Sequence, residues 1–384
     1  MAFDFATANE VVFGRGRLTE LPARARGFGE RALVVTGSRV ERAERVLALL
    51  RGAGLECSAF SVSGEPTLEI ARDGVSLARE ANASLVVALG GGSVIDAGKA
   101  IAALLGNGGD PLDYAEVVGK GRKIDTPSLP FIAVPTTAGT GAEVTRNAVL
   151  ASHEHRVKVS LRSPHMLPRL ALVDSELTHS VPPDVTAATG LDALTQVLEP
   201  YVSNAANPLV DALCLEGMAR GARSLRRAFH DGSDADARED MALCSLFGGL
   251  CLANAKLGAV HGFAAPLGGS FTAPHGALCA RLLPLVIATN IRALQARAPA
   301  SPVLARYETV ARVLTGKPDA RAEDAAAWAE ELVSELRIPA LRSYGMSASD
   351  IPDIVAKARQ ASSMKGNPIA LEEAELGAIL ERAL

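Results

Sequence analysis

The chain has 384 residues, of which 48% are hydrophobic and 21% are charged, and its formal net charge at pH 7 is -4. This length favours two domains, each with its own hydrophobic core, and the composition excludes a largely disordered chain. The small negative charge excludes a basic surface for nucleic acid, and we find neither an N-terminal signal sequence nor an apolar run of membrane length. We therefore expect a cytoplasmic protein that acts on small molecules, without a nucleic acid or membrane partner.

The five cysteines form no Cys-x-x-Cys pair, and each lies in an apolar stretch of sequence. Their odd number and surroundings are typical of reduced thiols in the core of a cytoplasmic protein. They are Cys57, Cys214, Cys244, Cys251 and Cys279.

Strand-like and helical patterns alternate through the first part of the chain. Strands are predicted over 31–36, 55–62 and 84–89, with helices over 42–53 and 67–81 between them. This alternation predicts a parallel sheet, in which ligands bind at the carboxyl ends of the strands.

The strongest ligand-binding signal in this part is the turn Gly90-Gly91-Gly92-Ser93, which follows an apolar strand and precedes a helix predicted over 94–105. Bare backbone amides at a helix N-terminus suit a pyrophosphate, and Ser93 adds a hydroxyl donor. The alternative is a simple tight connection. Three consecutive glycines cost conformational entropy, however, so we expect another group to approach this backbone closely.

A further strand is predicted over 131–135, and it runs into the hydroxyl-rich loop 136–141, which could hydrogen-bond a nucleotide. Two more strand-like segments, 156–160 and 170–174, follow before Pro182-Pro183. We place the domain boundary there, with domains over 1–182 and 183–384.

Beyond the boundary the alternation of β-branched residues fades and helical periodicity takes over. The second domain is therefore predicted to be largely helical. The predicted helices cover 185–201, 208–229, 235–257, 282–294 and 321–336.

Four side chains of the second domain have the types and spacing of a metal site. Asp192 and Gln196 are four residues apart, so both would project from one helix face, and His261 and His275 could each add a nitrogen. The alternative is that Asp192 caps or pairs locally, that Gln196 is a surface amide and that the histidines belong to the core.

Taken together, several motifs resemble the iron-containing, or group III, alcohol dehydrogenase family. They occur in order along most of the chain, at 90–99, 135–145, 190–203, 260–262 and 274–276. The resemblance implies an α/β fold with an N-terminal parallel-sheet dinucleotide-binding domain and an all-α C-terminal metal-binding domain, the architecture of dehydroquinate synthase.

The resemblance also implies roles for individual residues. NAD or NADP would be bound by residues of the first domain, with the pyrophosphate on the glycine turn, the nicotinamide near Asp96 and a lysine on the cofactor side. These cofactor-binding residues are Gly91, Gly92, Ser93, Asp96, Thr136, Thr137, Thr140 and Lys158. Asp192, His261 and His275 would be catalytic as ligands, with Gln196, of Fe²⁺ or Zn²⁺, which would polarise the substrate oxygen.

Two residues depart from the family pattern. Gln196 stands where metal-dependent members usually have a histidine, and an amide oxygen binds iron or zinc more weakly than an imidazole. Ala265 stands where many members have a histidine that relays a proton. The maleylacetate reductases of this fold work without metal, but they typically change the aspartate, and Asp192 is retained.

The turn after the first strand of the sheet bears on cofactor choice. NAD-preferring members tend to have an acidic residue at the position of Gly37. Gly37 lacks that carboxylate, and Ser38 and Arg39 offer donors for a 2′-phosphate, so the sequence permits NADP. The alternative is that Arg39 is a solvated residue at the start of a helix and that NAD binds by shape alone.

We therefore expect an NAD(P)-dependent oxidoreductase that interconverts an alcohol and an aldehyde or ketone, assisted by a divalent metal and assembled as a homodimer or larger homo-oligomer. The first alternative is a metal-independent, maleylacetate-type reductase of a carboxylated substrate. Two others are a lyase that uses NAD transiently, like dehydroquinate synthase, and a nucleotide-binding module without catalysis.

Overall fold

The computed structural model divides the chain into two compact units, each with its own core. The first is built from Phe5–Thr137 and Gly141–Thr178, and the second from His179–Leu384 together with Ala138–Thr140, among other residues. The structure describes residues 2–38, 40–116, 118–152, 154–155 and 157–384.

The first unit contains a six-stranded parallel sheet, which confirms the predicted fold class. Its strands are β1 (Val11–Phe13), β2 (Arg31–Gly37), β3 (Glu56–Val62), β4 (Leu85–Gly90), β5 (Phe131–Pro135) and β8 (Leu170–Val173), with β6 and β7 described below. Their order across the sheet is β1-β8-β5-β4-β2-β3. Because β4 lies between β2 and β5, the turns that follow these three strands are neighbours at one edge.

Helices cover both faces of this sheet. Alternate residues of β4 pack into two different cores: Val86 and Ala88 lie in one, and Leu85 and Val87 in the other. This two-sided burial explains why the strand is an uninterrupted apolar run. The helices of the first unit are α1 (Leu21–Arg26), α2 (Val40–Gly52), α3 (Leu68–Glu80), α4 (Gly92–Asn107) and α5 (Pro111–Tyr114).

A two-stranded antiparallel sheet stands apart from the parallel sheet. It pairs β6 (Asn147–Ser152) with β7 (Val157–Arg162). The sequence indicated the second of these strands but not the first, and Arg156 at the predicted start lies outside the described residues. Buried Lys99 on α4 holds the start of the hairpin, since its Nζ donates to the carbonyl of Asn147 over 2.7 Å.

The second unit is helical, as predicted. Its helices are α6 (Pro183–Val202), α7 (Pro208–His230), α8 (Ala235–Asn254), α9 (Ala259–Ser270), α10 (His275–Arg297), α11 (Val303–Thr315), α12 (Ala322–Glu335), α13 (Ile351–Gln360) and α14 (Glu373–Ala383). The sequence indicated α6, α7, α8 and α12 with small errors at their ends. It missed α9, α11, α13 and α14, and it began α10 seven residues late, at 282 instead of 275.

Helix α10 is long and apolar enough to cross a membrane, but 83% of its apolar window is buried inside the structure. Such burial is typical of the core helix of a folded domain. The consecutive helices α8 and α9 together also pass a length and composition test, but they are bent by 94° relative to each other.

Candidate metal centre and cofactor-binding edge

Helix α6 presents Asp192 and Gln196 one turn apart, and both side chains are buried. The helix begins with Pro183 in its first turn, a position where proline leaves no hydrogen bond unmade. Buried polar side chains normally have hydrogen-bond partners. Neither Asp192 Oδ1 nor Gln196 Oε1 has one in the described structure.

The two histidines lie beside Asp192. Its Oδ1 atom is 3.4 Å from Nε2 of His261, on α9, and 3.8 Å from Nε2 of His275, the first residue of α10. Together with Cys279 Sγ, these ligand atoms all lie within 4.8 Å of one another. The structure thus brings together three of the four predicted metal ligands and adds a thiol.

Glu199 orients the His261 ring. Its Oε2 lies 2.7 Å from His261 Nδ1, and its Oε1 accepts the backbone N–H of Val260 over 2.7 Å. Because a carboxylate only accepts, Nδ1 carries a proton, and Nε2 is the ring nitrogen that faces Asp192. Glu199, buried one turn after Gln196, was not identified from the sequence.

Opposite charges and burial compete in this group. Burial alone would raise the pKa of Asp192, but the positive charges of His275 and His261 beside it hold it below its ordinary value. Burial alone would lower the pKa of His261, but Cys279 and Asp192 raise it well above its ordinary value. The pKa of His275 is also raised, mainly by neighbouring Cys279 and also by Asp192.

These residues fit a divalent transition metal. A carboxylate, two imidazoles and a thiol are the ligand types of zinc and iron sites, and an ion there would supply the partner that Asp192 Oδ1 lacks. Tetrahedral zinc with nitrogen and oxygen ligands separates two ligand atoms by about 3.4 Å, close to the separation of Asp192 and His261.

Gln196 has a structural role that the sequence did not indicate. Its Nε2 donates to the carbonyl oxygen of Gly139 over 3.1 Å. Because a carbonyl only accepts, this contact fixes which end of the amide faces Gly139 and leaves Oε1 on the other side.

At the edge of the parallel sheet, the predicted glycine turn spans the end of β4 and the start of α4. Gly90 ends the strand, Gly91 is the N-cap, and Gly92 and Ser93 form the first turn of the helix. Gly91 has no side chain to cap the amides of this turn, an arrangement that suits a bound anion. A side chain at Gly91 would lie 3.2 Å from Oγ1 of Thr137.

The neighbouring turns contribute the other predicted residues. Thr136 follows β5, and its N–H donates to the carbonyl of Gly90 over 2.9 Å. Gly37 ends β2, and Ser38 follows it. Within the described part of the chain, a Cβ atom at Gly37 would have one ordinary contact, 3.9 Å from Val94. Arg39 lies outside the described residues.

Two of the remaining predicted cofactor residues, Asp96 and Lys158, make contacts with other protein groups. Asp96 on α4 accepts the N–H of Val149 over 3.0 Å. Lys158 on β7 has its Nζ 2.6 Å from Oε1 of Glu65. Thr140 belongs to the second unit and is partly buried. Their roles toward a cofactor stay predictions.

Comparison with known proteins decides the family. The family model for iron-containing alcohol dehydrogenase matches residues 8–175, and the model for the C-terminal part of the Fe-containing alcohol dehydrogenase family matches residues 186–384. The chain belongs to the iron-containing alcohol dehydrogenase family. Among family members, 1,3-propanediol dehydrogenase of Klebsiella pneumoniae is 36% identical over 390 residues, which cover 99% of this chain and 98% of the relative.

Solved structures of the family share the fold throughout. A 1,3-propanediol oxidoreductase superposes with a TM-score of 0.92 at 34% identity, over 100% of both chains. Sulfoacetaldehyde reductase from Bifidobacterium kashiwanohense, in complex with NAD⁺, has a TM-score of 0.87 at 28% identity, over 99% of this chain and 98% of the other. The iron-containing alcohol dehydrogenase family consists of alcohol dehydrogenases and reductases that use NAD(P) and a divalent metal.

Proposed function

We propose that this protein is an NAD(P)-dependent oxidoreductase that interconverts a small alcohol and an aldehyde or ketone by hydride transfer, assisted by a divalent metal. The observation that carries the proposal is the buried group of Asp192, His261 and His275, in which one carboxylate oxygen has no hydrogen-bond partner among the residues that the structure describes. A buried, unpartnered carboxylate oxygen is costly unless a cation is present.

Asp192, His261 and His275 would hold the metal, which when bound polarises the substrate oxygen as a Lewis acid. Glu199 accepts the N–H of Nδ1, which makes Nε2 the nitrogen of His261 that would bind the metal, and it holds the ring against rotation. The carboxylate of Asp192 balances charge at the buried end of the site, whereas His275 is the more exposed ligand, with 39% of its side chain accessible. We assign the exposed side of His275 to the substrate.

The cofactor would lie along the edge formed by the turns after β2, β4 and β5, with its pyrophosphate on the amides of Gly91, Gly92 and Ser93. Either NAD or NADP is accepted, with NADP favoured because Gly37 offers no carboxylate against a 2′-phosphate.

Proton exchange at the substrate oxygen cannot use a side chain at position 265, since Ala265, exposed on α9, has no titratable group. Water or a ribose hydroxyl of the cofactor would carry the proton. The absence of an imidazole favours reduction of small aldehydes and ketones over oxidation of primary alcohols. We place this activity in the cytoplasm, in a homodimer or larger homo-oligomer.

The test begins with protein purified without added metal, its metal content, and its oxidation of NADPH and NADH with a panel of small aldehydes and keto acids. We expect about one equivalent of zinc or iron per chain, and turnover that chelation abolishes and metal restores. Asp192→Ala should lose both metal and turnover. Cofactor oxidation that survives chelation in full would overturn the metal-assisted proposal.

The presence of Gln196 in place of a usual histidine favours one second candidate, a metal-independent reductase of carboxylated substrates. In that enzyme His261 and His275 would donate hydrogen bonds to the substrate directly. Wild-type activity that is undiminished in chelator, together with a loss of activity in His275→Ala, would favour this candidate. Retention of Asp192 is the observation against it.

A further inference from the structure

We propose that the thiolate of Cys279 is the fourth protein ligand of this metal centre, in place of Gln196, and that the resulting site prefers zinc to iron. The inference rests on the proposed metal-assisted function and specifies its ligand set. It concerns a residue that the sequence pattern indicated only as a core thiol.

The position of Cys279 follows from helix geometry. It lies one turn after His275 on α10, so the two side chains project from one face of that helix. Its Sγ lies 3.6 Å from Nε2 of His275 and within 4.8 Å of the ligand atoms of Asp192 and His261. A tetrahedral zinc with Zn–S about 2.3 Å and Zn–N about 2.05 Å separates sulfur and nitrogen by about 3.6 Å. The observed distance matches that separation.

Charge balance favours the thiolate over the amide. A buried divalent cation is neutralised by two negative ligands, and Cys279 is fully buried next to the Asp192 carboxylate. A set with Gln196 instead of Cys279 would leave one positive charge uncompensated among the ligands, at a cost in a buried site.

Gln196 Oε1, which is buried and has no hydrogen-bond partner among the described residues, is the atom that would compete with Cys279 for the metal. Nε2 of Gln196 is committed to Gly139, so the amide can reach the metal only through its neutral oxygen. Thiolate and imidazole are the softer ligands that zinc binds well, whereas an amide oxygen is a weak ligand for it. Zinc also stands above iron in the general order of divalent affinities, which is the basis for the preference we propose.

Cobalt(II) provides a readout independent of activity, because a Co²⁺–thiolate bond gives a charge-transfer band in the near ultraviolet. The wild type and the Cys279→Ser variant would be stripped, loaded with Co²⁺, and compared by metal content and absorption spectrum. Cys244→Ala, which removes another buried thiol, is the matched control. We expect the band in the wild type and in Cys244→Ala, and its loss in Cys279→Ser.

Affinity gives a second readout. Loss of a residue that only hydrogen-bonds a metal ligand typically weakens metal binding by roughly 10- to 100-fold. Cys279→Ser, which changes a ligand itself, should weaken zinc binding by at least that factor. Gln196→Leu should keep the charge-transfer band and change zinc affinity less than Cys279→Ser does. The wild type should bind zinc more tightly than Fe²⁺ in an anaerobic competition, and the reverse order would overturn the metal preference.

X-ray absorption of the zinc-loaded wild type needs no variant and should show one sulfur scatterer at about 2.3 Å. A wild type that binds one equivalent of metal with no sulfur ligand would overturn the assignment of Cys279 and leave the metal-assisted function standing. A wild type that binds no metal at all would overturn both.

Discussion

Glu199 and His261 are joined by a contact of 2.7 Å between Oε2 and Nδ1, although they lie on different helices. The other oxygen of Glu199 accepts the N–H of Val260, so this carboxylate also caps the start of α9. Gly258 precedes that helix, and a Cβ atom there would lie 2.8 Å from Oε1 of Glu199. The start of α9 and the orientation of the histidine therefore depend on the same side chain.

We predict that Glu199→Gln weakens metal binding by about 10- to 100-fold. The amide oxygen can still cap Val260, but the amide nitrogen would then face Nδ1 of His261. Because the amide nitrogen donates, Nδ1 of His261 would have to accept. The ring proton would then move to Nε2 and block the position from which His261 binds the metal. Zinc titration of the stripped protein by a competing chelator measures the change.

A matched control for this prediction is Glu331→Gln, whose side chain is 73% exposed. It should leave zinc affinity unchanged. Equal zinc affinity in Glu199→Gln and the wild type would show that Glu199 does not set the state of His261.

We predict that Gly91→Ala weakens binding of NADPH and NADH about tenfold or more, while the fold is retained. The backbone at Gly91 is extended and accommodates alanine, and Thr137 needs to give way only slightly to the new methyl group. That methyl group would keep a pyrophosphate from approaching the amides. Fluorescence titration of the cofactor measures the effect.

The control for this change is Gly52→Ala on α2, where an added Cβ meets nothing within 4 Å. If cofactor affinity in Gly91→Ala equals that of this control, the pyrophosphate does not bind at the glycine turn.

We predict that Gly37→Asp lowers kcat/KM for NADPH about tenfold or more relative to NADH. The space next to Gly37 admits a side chain, so the main effect is repulsion between the new carboxylate and the 2′-phosphate. Gly37→Asn has nearly the same shape without the charge. It should change the ratio much less, and an equal effect of both variants would count against charge as the cause.

We predict that the free energy of unfolding of the stripped protein falls as pH rises from 4.5 to about 7, because burial raises the pKa of Glu143 from 4.5 to about 7. In this range the unfolded chain has lost the proton that the folded chain retains, so rising pH favours unfolding. The full effect on the free energy of unfolding is about 3 kcal/mol. This figure already includes the charge of Lys99, which lowers the pKa of Glu143.

Glu143→Gln should flatten this part of the profile and stabilise the protein at pH 8, as measured by denaturant unfolding at several pH values. Lys99 is present in both proteins, so the difference between them isolates the carboxyl group. An unchanged slope would mean that Glu143 is ionised in the folded protein throughout this range.

Local patterns in the sequence were enough to predict the parallel sheet, the glycine turn and the pairing of Asp192 with Gln196 on one helix face. Strand alternation and i, i+4 spacing depend on residues close together in the chain, so tertiary structure is not needed to recognise them. The prediction that His261 and His275 lie close together rested instead on the resemblance to the ordered motifs of the family.

Only the tertiary structure showed that Glu199 and Cys279 lie beside His261 and His275. His275 and Cys279 are one turn apart on α10, but the helix predicted from the sequence began at 282, after both residues. Likewise, α9 contains Pro266 and several glycines, and packing against other elements overrides their low helix propensity. The contact of Glu199 with His261 spans 62 positions in the chain. Such contacts follow from how separate helices pack, which local sequence patterns do not determine.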